Sequence, residues 1–383
     1  MHCIHFNLRP CTVEEHAMRQ TALYPEHAAL GASFTDFGGW EMPVRYTNEL
    51  AEHAAVRTSA GLFDISHMAE IFVTGDDAAA FLDYALVNPS SEIAVGRAKY
   101  SLICAPDGGV IDDLIVYRLA QTEYLVVANA GNRFNVVPAL QERAAGFANL
   151  TVDDQSDDWA LIALQGPQSA SILRSVTSAD LDNLKYYAIL PAVVGGIEVL
   201  IGRTGYTGED GFELFTPVAH AREMWQLLLT TGGSDVVACG LAARDTLRLE
   251  AGMPLYGQEL DREHTPYEAG LGKVVRLDRE TDFVGKSALA AAAATPVSRK
   301  LVGLVGEGRR AARHGYTVHA VGSDEVLGEV TSGALSPTLG YPVAMAYVAT
   351  SVNLEPGTVL EVDIRGTRLP YTVTPTPFYK RSK

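Results

Sequence analysis

Two stretches of the chain share one order of hydrophobic and polar positions: an apolar strand, a glycine and a helix-forming segment. In the first, residues 69–75 lead into 76–86, and in the second, residues 160–166 lead into 167–173. Pro167 suits the first turn of a helix. The repeated pattern predicts two related α+β halves.

Further periodic segments complete each half. Alternating apolar positions predict strands at 99–104 and 110–118, joined by a turn at Pro106-Asp-Gly-Gly109, and a second hairpin is predicted at Gly195-Gly196. One more strand is predicted at 124–128. Helices are predicted at 131–145, 219–229 and 241–250.

From Lys300 onward the helical period disappears. Six short alternating segments separated by Gly, Pro and Asn are typical of a small β-barrel or sandwich. An Ala-rich helix over Phe283–Ala294 is predicted to join this region to the two halves. The segments are Leu301–Val305, Tyr316–Ala320, Leu327–Thr331, Ala344–Val348, Val359–Ile364 and Leu369–Val373.

The composition is that of a globular protein with two or three domains. Of 383 residues, 47% are hydrophobic, yet no apolar run approaches the roughly 18 residues that a membrane span needs. The four cysteines are scattered, without CxxC spacing or the density of a disulfide scaffold. We therefore expect a cytoplasmic protein without a membrane segment.

The net charge of −16 argues against nucleic acid as a partner, because phosphate contacts need concentrated positive charge. Residues 299–383 are the exception, with 10 Lys and Arg against 7 Asp and Glu. Within them, Arg309, Arg310 and Arg313 form a local basic patch. This patch is either a contact for an acidic partner or a solvated turn.

Five potential metal ligands cluster near the N-terminus: His2, Cys3, His5, Cys11 and His16. Side chains on an untethered end have no supporting hydrogen bonds to orient them around a metal. Residues 1–17 are therefore predicted to be a tail ahead of an alternative start at Met18.

The run Arg203-Thr-Gly-Tyr-Thr-Gly-Glu-Asp-Gly-Phe-Glu213 interrupts strand-like sequence with three glycines. Glycine allows tight turns and a close approach of the backbone to a flat ligand. Glu213 then re-enters a strand between apolar neighbours, where core packing gives no reason for a carboxylate. A carboxylate at this point can accept paired N–H donors from a heterocycle.

A second acidic candidate lies in the strand after the 106–109 turn. Asp112 and Asp113 point to opposite faces of that strand, and Asp113 shares its face with Ile115 and Tyr117. Tyr100 lies near Asp113 across the hairpin if the turn sets the register. This face is a candidate binding floor, although hairpin aspartates are also commonly just solvated.

Arg244 and Arg248 are four residues apart and share one face of the helix 241–250. Asp245 can pair with Arg248, which gives Arg248 a structural role and leaves Arg244 available. Stacking surface is available from Tyr186, Tyr187, Tyr206 and Met253.

No nucleophile motif of the GxSxG, P-loop or HExxH type occurs in the sequence. Asp64-Ile-Ser-His-Met68 suggests a serine and histidine pair, but adjacent side chains of an extended chain point apart. We therefore predict that His67 is packed or caps a strand.

A set of motifs, in order from about residue 22 to 380, closely resembles the aminomethyltransferase (T protein) of the glycine cleavage system. A single such motif would be a weak indication, whereas the ordered set is highly specific. The motifs are Asp36-Phe-Gly-Gly-Trp-Glu-Met-Pro43, Phe63-Asp-Ile-Ser-His-Met68, Gly108-Gly-Val-Ile-Asp-Asp-Leu-Ile-Val116, the run 203–213, Ala243-Arg-Asp245, Arg248-Leu-Glu-Ala251, and Thr331-Ser-Gly333 with Ser336-Pro-Thr-Leu339.

The resemblance implies an α+β fold with two ferredoxin-like, folate-binding domains, the first discontinuous, and a C-terminal β-barrel of jelly-roll-like form. The first two would occupy 18–285, as 18–65 with 155–285 and a second lobe at 66–154, and the barrel 298–383. It also implies a reaction in which lipoylated H protein gives the methylene of its S-aminomethyldihydrolipoyl group to tetrahydrofolate, producing 5,10-methylenetetrahydrofolate and ammonia. The resemblance implies neither pyridoxal phosphate nor a metal in this component.

The resemblance implies site residues as well. Glu213 would accept the amino group and ring N–H of the pterin, and Arg244 would donate to its carbonyl oxygen. Asp113 would be catalytic, stabilising the positive charge on carbon as the amine leaves. Lys273 departs from the family pattern, which usually has Trp there, and Met253 stands where some relatives are aromatic. The pocket would be lined by Phe72, Tyr100, Ile115, Tyr117, Tyr187 and Tyr206.

Two other functions fit such motifs. One is a folate-dependent demethylase of a small methylated donor, since related folds accept several one-carbon donors. The other is a non-catalytic folate-binding regulatory or iron–sulfur assembly factor, against which the presence of Asp113 argues.

Overall fold

A computed structural model of the chain describes residues 18–381, so the N-terminal His and Cys cluster lies outside the described residues. No helix within 18–381 is both long and apolar enough to cross a bilayer. The helices are α1 Tyr24–Ala29, α2 Glu49–Thr58, α3 Ala78–Ala85, α4 Arg133–Ala144, α5 Ser169–Arg174, α6 Ala221–Gly232, α7 Leu241–Glu250 and α8 Lys286–Ala293.

The strands form a small β1–β2 hairpin, two larger sheets and a barrel. Those before the barrel are β1 Ser33–Phe37, β2 Trp40–Arg45, β3 Ala60–Asp64, β4 Ala69–Thr74, β5 Ala98–Cys104, β6 Val110–Ala120, β7 Glu123–Ala128, β8 Thr151–Asp154, β9 Trp159–Gln165, β10 Ile189–Val194, β11 Ile197–Gly202, β12 Gly211–Pro217 and β13 Val236–Ala238. Those of the barrel are β14 Arg299–Gly306, β15 Thr317–His319, β16 Val326–Leu335, β17 Pro342–Ala349, β18 Val359–Ile364 and β19 Thr367–Thr374.

The two larger sheets repeat one topology, as the sequence pattern predicts. The elements from β4 to β8 give the strand order β5-β6-β7-β4-β8. The elements from β9 to β13 give β10-β11-β12-β9, followed by β3 and then β13, so β3 is the one inserted strand. The predicted α+β fold with two related halves and a C-terminal barrel is confirmed.

A glycine after the first strand of each repeat explains the shared pattern. Gly75 and Gly166 have φ of +119° and +129°, which side chains other than glycine rarely adopt. A Cβ on Gly75 would lie 2.1 Å from the carbonyl oxygen of Asn149, and one on Gly166 would lie 2.5 Å from that of Ser59. Both strand-to-helix turns therefore require glycine.

The two sheets pack face to face, and helices cover their outer faces. The layer between the sheets is apolar, with Phe63 and Phe215 from one sheet and Phe72 and Leu125 from the other. Outside it, α6 buries a stripe at helical spacing against the six-stranded sheet. That stripe consists of Ala221, Met224, Trp225 and Leu228.

Helix α7 connects the two sheets to the barrel. Leu247 packs in the layer between the sheets, whereas Leu249 packs on Val343 and Met345 of the barrel. The carboxylate of Glu52 accepts a hydrogen bond of 2.9 Å from the backbone N–H of Gly240, at the start of this helix. The negative charge of Glu52 also interacts favourably with the positive, N-terminal end of the helix dipole. Helix α7 is therefore fixed at both ends.

The barrel closes in the order β14-β17-β16-β15-β18-β19. Apolar residues at alternate positions of its strands fill the barrel interior, as the alternating sequence pattern predicts. Tyr371 also fixes the loop that carries the basic patch, because its hydroxyl accepts from the Ala312 N–H and donates to the Arg310 carbonyl.

The segment between α7 and α8 covers the β5–β6 hairpin. Leu260, Val275 and Phe283 pack there with Leu102 and Val110. This segment therefore contacts the five-stranded sheet, although it follows the six-stranded one in the chain. The division into domains at 18–65, 66–154 and 155–285 stays a prediction.

Candidate active site

A cavity of about 510 Å³ opens between the two sheets and α7. Its volume falls within the roughly 300–1,000 Å³ of small-molecule sites. Strands β5 to β7 form one side, β12 and the loop before it form another, and residues 252–258 close the side toward the barrel. The residues named in advance that line it are Tyr100, Asp113, Ile115, Tyr187, Tyr206, Glu213 and Arg244.

Asp113 enters the cavity from β6. The Tyr100 hydroxyl donates a hydrogen bond of 3.0 Å to one carboxylate oxygen, and the Asn129 amide donates one of 2.9 Å to the other. Burial raises the pKa of Asp113 above its usual range, although these two hydrogen bonds oppose the shift. The side chain is therefore held in one position and can exchange a proton near neutral pH.

Asp112 lies on the opposite face of β6, as the two-residue period predicts. Its carboxylate accepts from Asn132 at 2.7 Å and from both the amide and the backbone N–H of Asn129. Burial and the charge of Asp113 raise the pKa of Asp112. Asn129 thus ties the two aspartates together, and Asp112 supports the position of Asp113.

Glu213 enters the cavity from β12 and is only half satisfied by the protein. One carboxylate oxygen accepts from the Thr204 hydroxyl and, at 3.3 Å, from the Tyr117 hydroxyl. Within residues 18–381, no donor reaches the other oxygen. Burial raises the pKa of Glu213, and the Thr204 hydrogen bond opposes this shift. The arrangement leaves one carboxylate oxygen for a donor from a ligand.

The glycine-rich run reaches the cavity because Gln165 of β9 fills the space that side chains would need. A Cβ on Gly205 would lie 2.0 Å from the Gln165 side chain, and one on Gly211 would lie 2.4 Å from it. Gln165 in turn donates to the Thr204 carbonyl at 3.0 Å and accepts from the Thr207 hydroxyl at 2.9 Å. The glycines therefore allow this loop to be held rigidly.

Arg244 and Arg248 differ in their partners, although they share one face of α7. The Arg248 guanidinium donates to Asp245, Glu259 and Ser332 at 2.7–3.0 Å. The Arg244 guanidinium has no hydrogen-bond acceptor among the described residues and lies 4.8 Å from the Tyr206 ring centroid. Burial lowers the pKa of Arg244. As the sequence predicts, Arg248 is structural and Arg244 is available.

Three of the aromatic residues named in advance do not line the cavity, and one of them is the exposed Tyr186. Tyr117 is fully buried behind Glu213, to which it donates a hydrogen bond. Phe72 faces the layer between the sheets, where it stacks on Trp159 at a centroid distance of 5.9 Å. Phe72 lies on the sheet face that leads to the cavity, but at a greater distance from the cavity. The two-residue period of a strand predicts which face a side chain is on and does not predict how far it lies from the cavity.

Several lining residues were not identified from the sequence: Phe37, His67, Met68, Asn129 and Leu255. Asn129 directly follows a strand, and no periodicity signals a side chain at that point. The Asp-Ile-Ser-His-Met motif was the available signal for His67. The prediction of a packed histidine is half right, because His67 is buried but also faces the cavity.

The two departures from the family pattern have different positions. Met253 lines the cavity, so its flexible side chain forms part of the binding surface. Lys273 is exposed on the short 3₁₀ turn Gly272–Val274 and is not part of the lining. No group of three or more His, Cys, Asp and Glu side chains within 18–381 is arranged to hold a metal ion.

A second cavity of about 460 Å³ adjoins the first and shares Tyr206 and Arg244 with it. It extends to the barrel, where Arg313, His314 and Ser332 line it. The binding region therefore continues from the sheets toward the loop that carries the basic patch.

Comparison with known proteins gives matches over nearly the whole chain. The sequence family described as the GCVT N-terminal domain matches residues 23–279, and the glycine cleavage T-protein C-terminal barrel domain matches residues 299–380. An aminomethyltransferase of Streptomyces avermitilis is 57% identical over 97% of this chain and 100% of its own length. One of Bacillus subtilis is 44% identical, over 95% and 100% respectively.

A solved structure extends the match to the fold. The crystal structure of the glycine cleavage system aminomethyltransferase T from Bartonella henselae covers 95% of this chain and 98% of its own chain, with a TM-score of 0.88 and 37% sequence identity. Family matches, sequence identity and fold agree, and the chain belongs to the aminomethyltransferase (T protein) family of the glycine cleavage system.

Proposed function

We propose that this chain transfers the methylene of the S-aminomethyldihydrolipoyl group of H protein to tetrahydrofolate, giving 5,10-methylenetetrahydrofolate and ammonia. The observation that carries the proposal is that, among the described residues, one carboxylate oxygen of Glu213 has no donor and the Arg244 guanidinium has no acceptor, while both side chains face the same cavity. Glu213 is buried and Arg244 is half-buried, and polar groups that face a cavity without a partner among residues 18–381 are available to a ligand.

The edge of a pterin fits these two groups. Its 2-amino group and adjacent ring N–H are donors that a carboxylate such as Glu213 accepts, and its carbonyl oxygen accepts from a guanidinium such as Arg244. Tyr187 and Tyr206 supply aromatic surface for the flat ring. Tetrahydrofolate in this orientation would place N5 near Arg244 and extend N10 toward the β6 wall and Asp113.

Asp113 would act on the carbon that is transferred. As the amine leaves the aminomethyl carbon, positive charge develops there, and a fixed carboxylate in a cavity with little water stabilises it. Tyr100 and Asn129 hold that carboxylate in place. Because its raised pKa lies nearer to neutrality, Asp113 can also accept a proton from a folate nitrogen and release it to a leaving group.

We also propose that the basic patch contacts H protein. Arg309, Arg310 and Arg313 are exposed and form no ion pair with a described residue, and Arg365 lies across the same surface depression. An acidic partner would complement this patch and bring its lipoyl arm to the neighbouring cavity.

We expect this protein to act in the cytoplasm, since Cys104 and Cys239 are both free thiols and a reducing compartment keeps thiols free.

The direct test is an assay with aminomethylated H protein and tetrahydrofolate. We expect the purified chain to release ammonia and form 5,10-methylenetetrahydrofolate. Binding of tetrahydrofolate without turnover would contradict this function and favour the demethylase alternative, whereas no binding would contradict both.

The partner surface has a separate test. In the double variant Arg309→Ala/Arg310→Ala we expect weaker H-protein binding by titration calorimetry, with unchanged affinity for tetrahydrofolate. Arg174→Ala/Arg222→Ala is a matched control, because it removes two exposed arginines of α5 and α6, outside the barrel. Equal H-protein affinity in both double variants would reject the patch as the contact.

A further inference from the structure

His67 lines the central cavity but has no part in the chemistry assigned above. Its side chain is almost fully buried, with 2% of the residue exposed. Its Nδ1 atom is enclosed and has no hydrogen-bond partner among residues 18–381. Leaving a buried polar atom unpaired costs free energy that an apolar side chain of similar shape would avoid. Packing alone therefore does not account for a histidine here.

The neighbours of His67 direct its imidazole away from the side chain of Ser66. The neighbouring Ser66 donates its backbone N–H to Asp64 at 2.9 Å, and its hydroxyl accepts from the Leu161 N–H at 3.0 Å. Phe37 contacts the imidazole edge-on at a centroid distance of 5.4 Å. Ser66 and His67 thus point in different directions, and only the histidine reaches the cavity.

The charge state of His67 follows from the same surroundings. Burial and the nearby charge of Arg244 lower the pKa of His67 to about 4, whereas the charge of Asp64 opposes this shift. The imidazole is therefore neutral at pH 7. A neutral imidazole has one donor nitrogen and one acceptor nitrogen, and the acceptor can take up a proton from a more acidic group, such as an amine nitrogen that carries positive charge as it bonds to carbon.

The proposed reaction requires two proton transfers. Tetrahydrofolate loses the N–H protons of N5 and N10 as both nitrogens bond to the transferred carbon. The bonds from that carbon to nitrogen and to sulfur break, and ammonia and the thiol each gain one proton. No atom is oxidised or reduced, so the balance needs no further reactant. Asp113 can carry out one of these proton transfers, so the other needs a second side chain that accepts and releases a proton.

The position of His67 relative to Arg244 suggests which transfer it serves. In a pterin, the carbonyl oxygen and N5 lie next to each other on one edge of the ring. If Arg244 donates to that oxygen, N5 faces the part of the wall near the guanidinium. His67 lines this cavity close enough to Arg244 to be affected by its charge.

We propose that His67 is a second proton-transfer residue of this active site, and the proposal rests on the function proposed above. His67 accepts the N5 proton as the N5–carbon bond forms and gives it to the departing amine, which leaves as ammonia. Asp113 accepts the N10 proton as the N10–carbon bond forms and gives it to the thiolate sulfur. The substrate class that His67 serves is thus a secondary amine held against Arg244.

The test compares His67→Gln with the wild type in the methylene-transfer assay. Glutamine keeps one donor and one acceptor but does not accept a proton. Loss of general acid–base catalysis typically lowers the rate by roughly 10²–10⁴-fold. We expect a decrease of kcat in that range, with an unchanged dissociation constant for tetrahydrofolate. In His67→Ala, added imidazole should restore part of the lost rate.

Several outcomes separate the possibilities. His220→Gln, an exposed histidine of the surface near α6, is the matched control and should behave as the wild type. Wild-type kcat in His67→Gln would overturn the proposal, as would parallel losses of rate and folate affinity without rescue by imidazole. If His67→Gln does not fold, His67→Asn takes its place under the same criteria. Absence of turnover in the wild type would instead contradict the proposed function.

Discussion

Glu213 and Glu250 are both buried carboxylates, but the protein treats them in opposite ways. Glu250, at the end of α7, accepts from Arg57 at 2.7 Å, from the Thr338 hydroxyl and backbone N–H, and from the Ser336 hydroxyl. Both of its oxygens are satisfied. Glu213 has one oxygen without any donor from the described residues.

The pKa values of the two carboxyl groups reflect this difference. Burial acts to raise the pKa of Glu250, but the hydrogen bond and charge of His53 and the hydrogen bonds from Ser336 and Arg57 lower this pKa to about 2. Burial raises the pKa of Glu213. A buried carboxylate saturated by its own protein joins parts of a fold, whereas one left half satisfied is available for a ligand.

The largest effect should come from removing the saturated carboxylate. Glu250→Ala leaves Arg57 buried with Glu209 as its remaining acidic partner, and breaking a buried ion pair costs roughly 3–5 kcal/mol. We expect a loss of stability of this size in urea denaturation, with unchanged folate affinity in the molecules that stay folded. Glu223→Ala, on the surface of α6, is the control. Equal denaturation midpoints for Glu250→Ala and Glu223→Ala would contradict a structural role for Glu250.

The next effect concerns catalysis at the cavity. Asp113→Asn keeps the size of the side chain but removes the charge that stabilises the carbon cation. We expect turnover to fall by about 10²–10³-fold, as for the loss of other groups that stabilise transition-state charge. Tetrahydrofolate affinity should stay near that of the wild type. The exposed Asp76→Asn is a matched control, and unchanged turnover in Asp113→Asn would end the enzymatic account.

A smaller effect should appear in the pH dependence of stability. The folded-state pKa of Glu250 lies below its ordinary value of 4.5, so its contribution is present above that pH and is lost as the pH falls toward about 2. Glu213 has a raised pKa and acts in the opposite sense. Between pH 4.5 and 2, the thermal midpoints of the wild type and Glu250→Ala should converge, whereas Glu213→Ala should lose its relative advantage between pH 7 and 4.5. If the thermal midpoints of all three proteins changed in parallel with pH, the opposite pKa shifts of Glu250 and Glu213 would be contradicted.

The sequence predicts much of this fold because its local patterns are strong. The bounds of α7 and of β18 agree with the predicted 241–250 and 359–364. Helix α6 begins later than the predicted 219–229, because a short 3₁₀ turn at Val218–His220 precedes it. The inserted strand β3 was not predicted, since its pairing with β9 and β13 joins distant parts of the chain.

The candidate site was predictable to the extent that it follows from strand faces and helix spacing. The opposite directions of Asp112 and Asp113 and the contrast between Arg244 and Arg248 are of this kind. The position of His67 at the cavity and the bond from Asn129 to both aspartates depend on how separate strands meet. The convergence of Arg57 and Ser336 on Glu250 was not predictable, because these residues are far apart in the chain.

The most direct test of the central claim is a titration of tetrahydrofolate into the wild type and Glu213→Ala. Removing an acceptor that pairs with two pterin donors leaves them unsatisfied, and one hydrogen bond to a charged group contributes roughly 1.5–3 kcal/mol. We therefore predict a dissociation constant at least about tenfold higher in Glu213→Ala, at a thermal midpoint no lower than that of the wild type. Equal affinity of the two proteins would contradict a pterin held by Glu213.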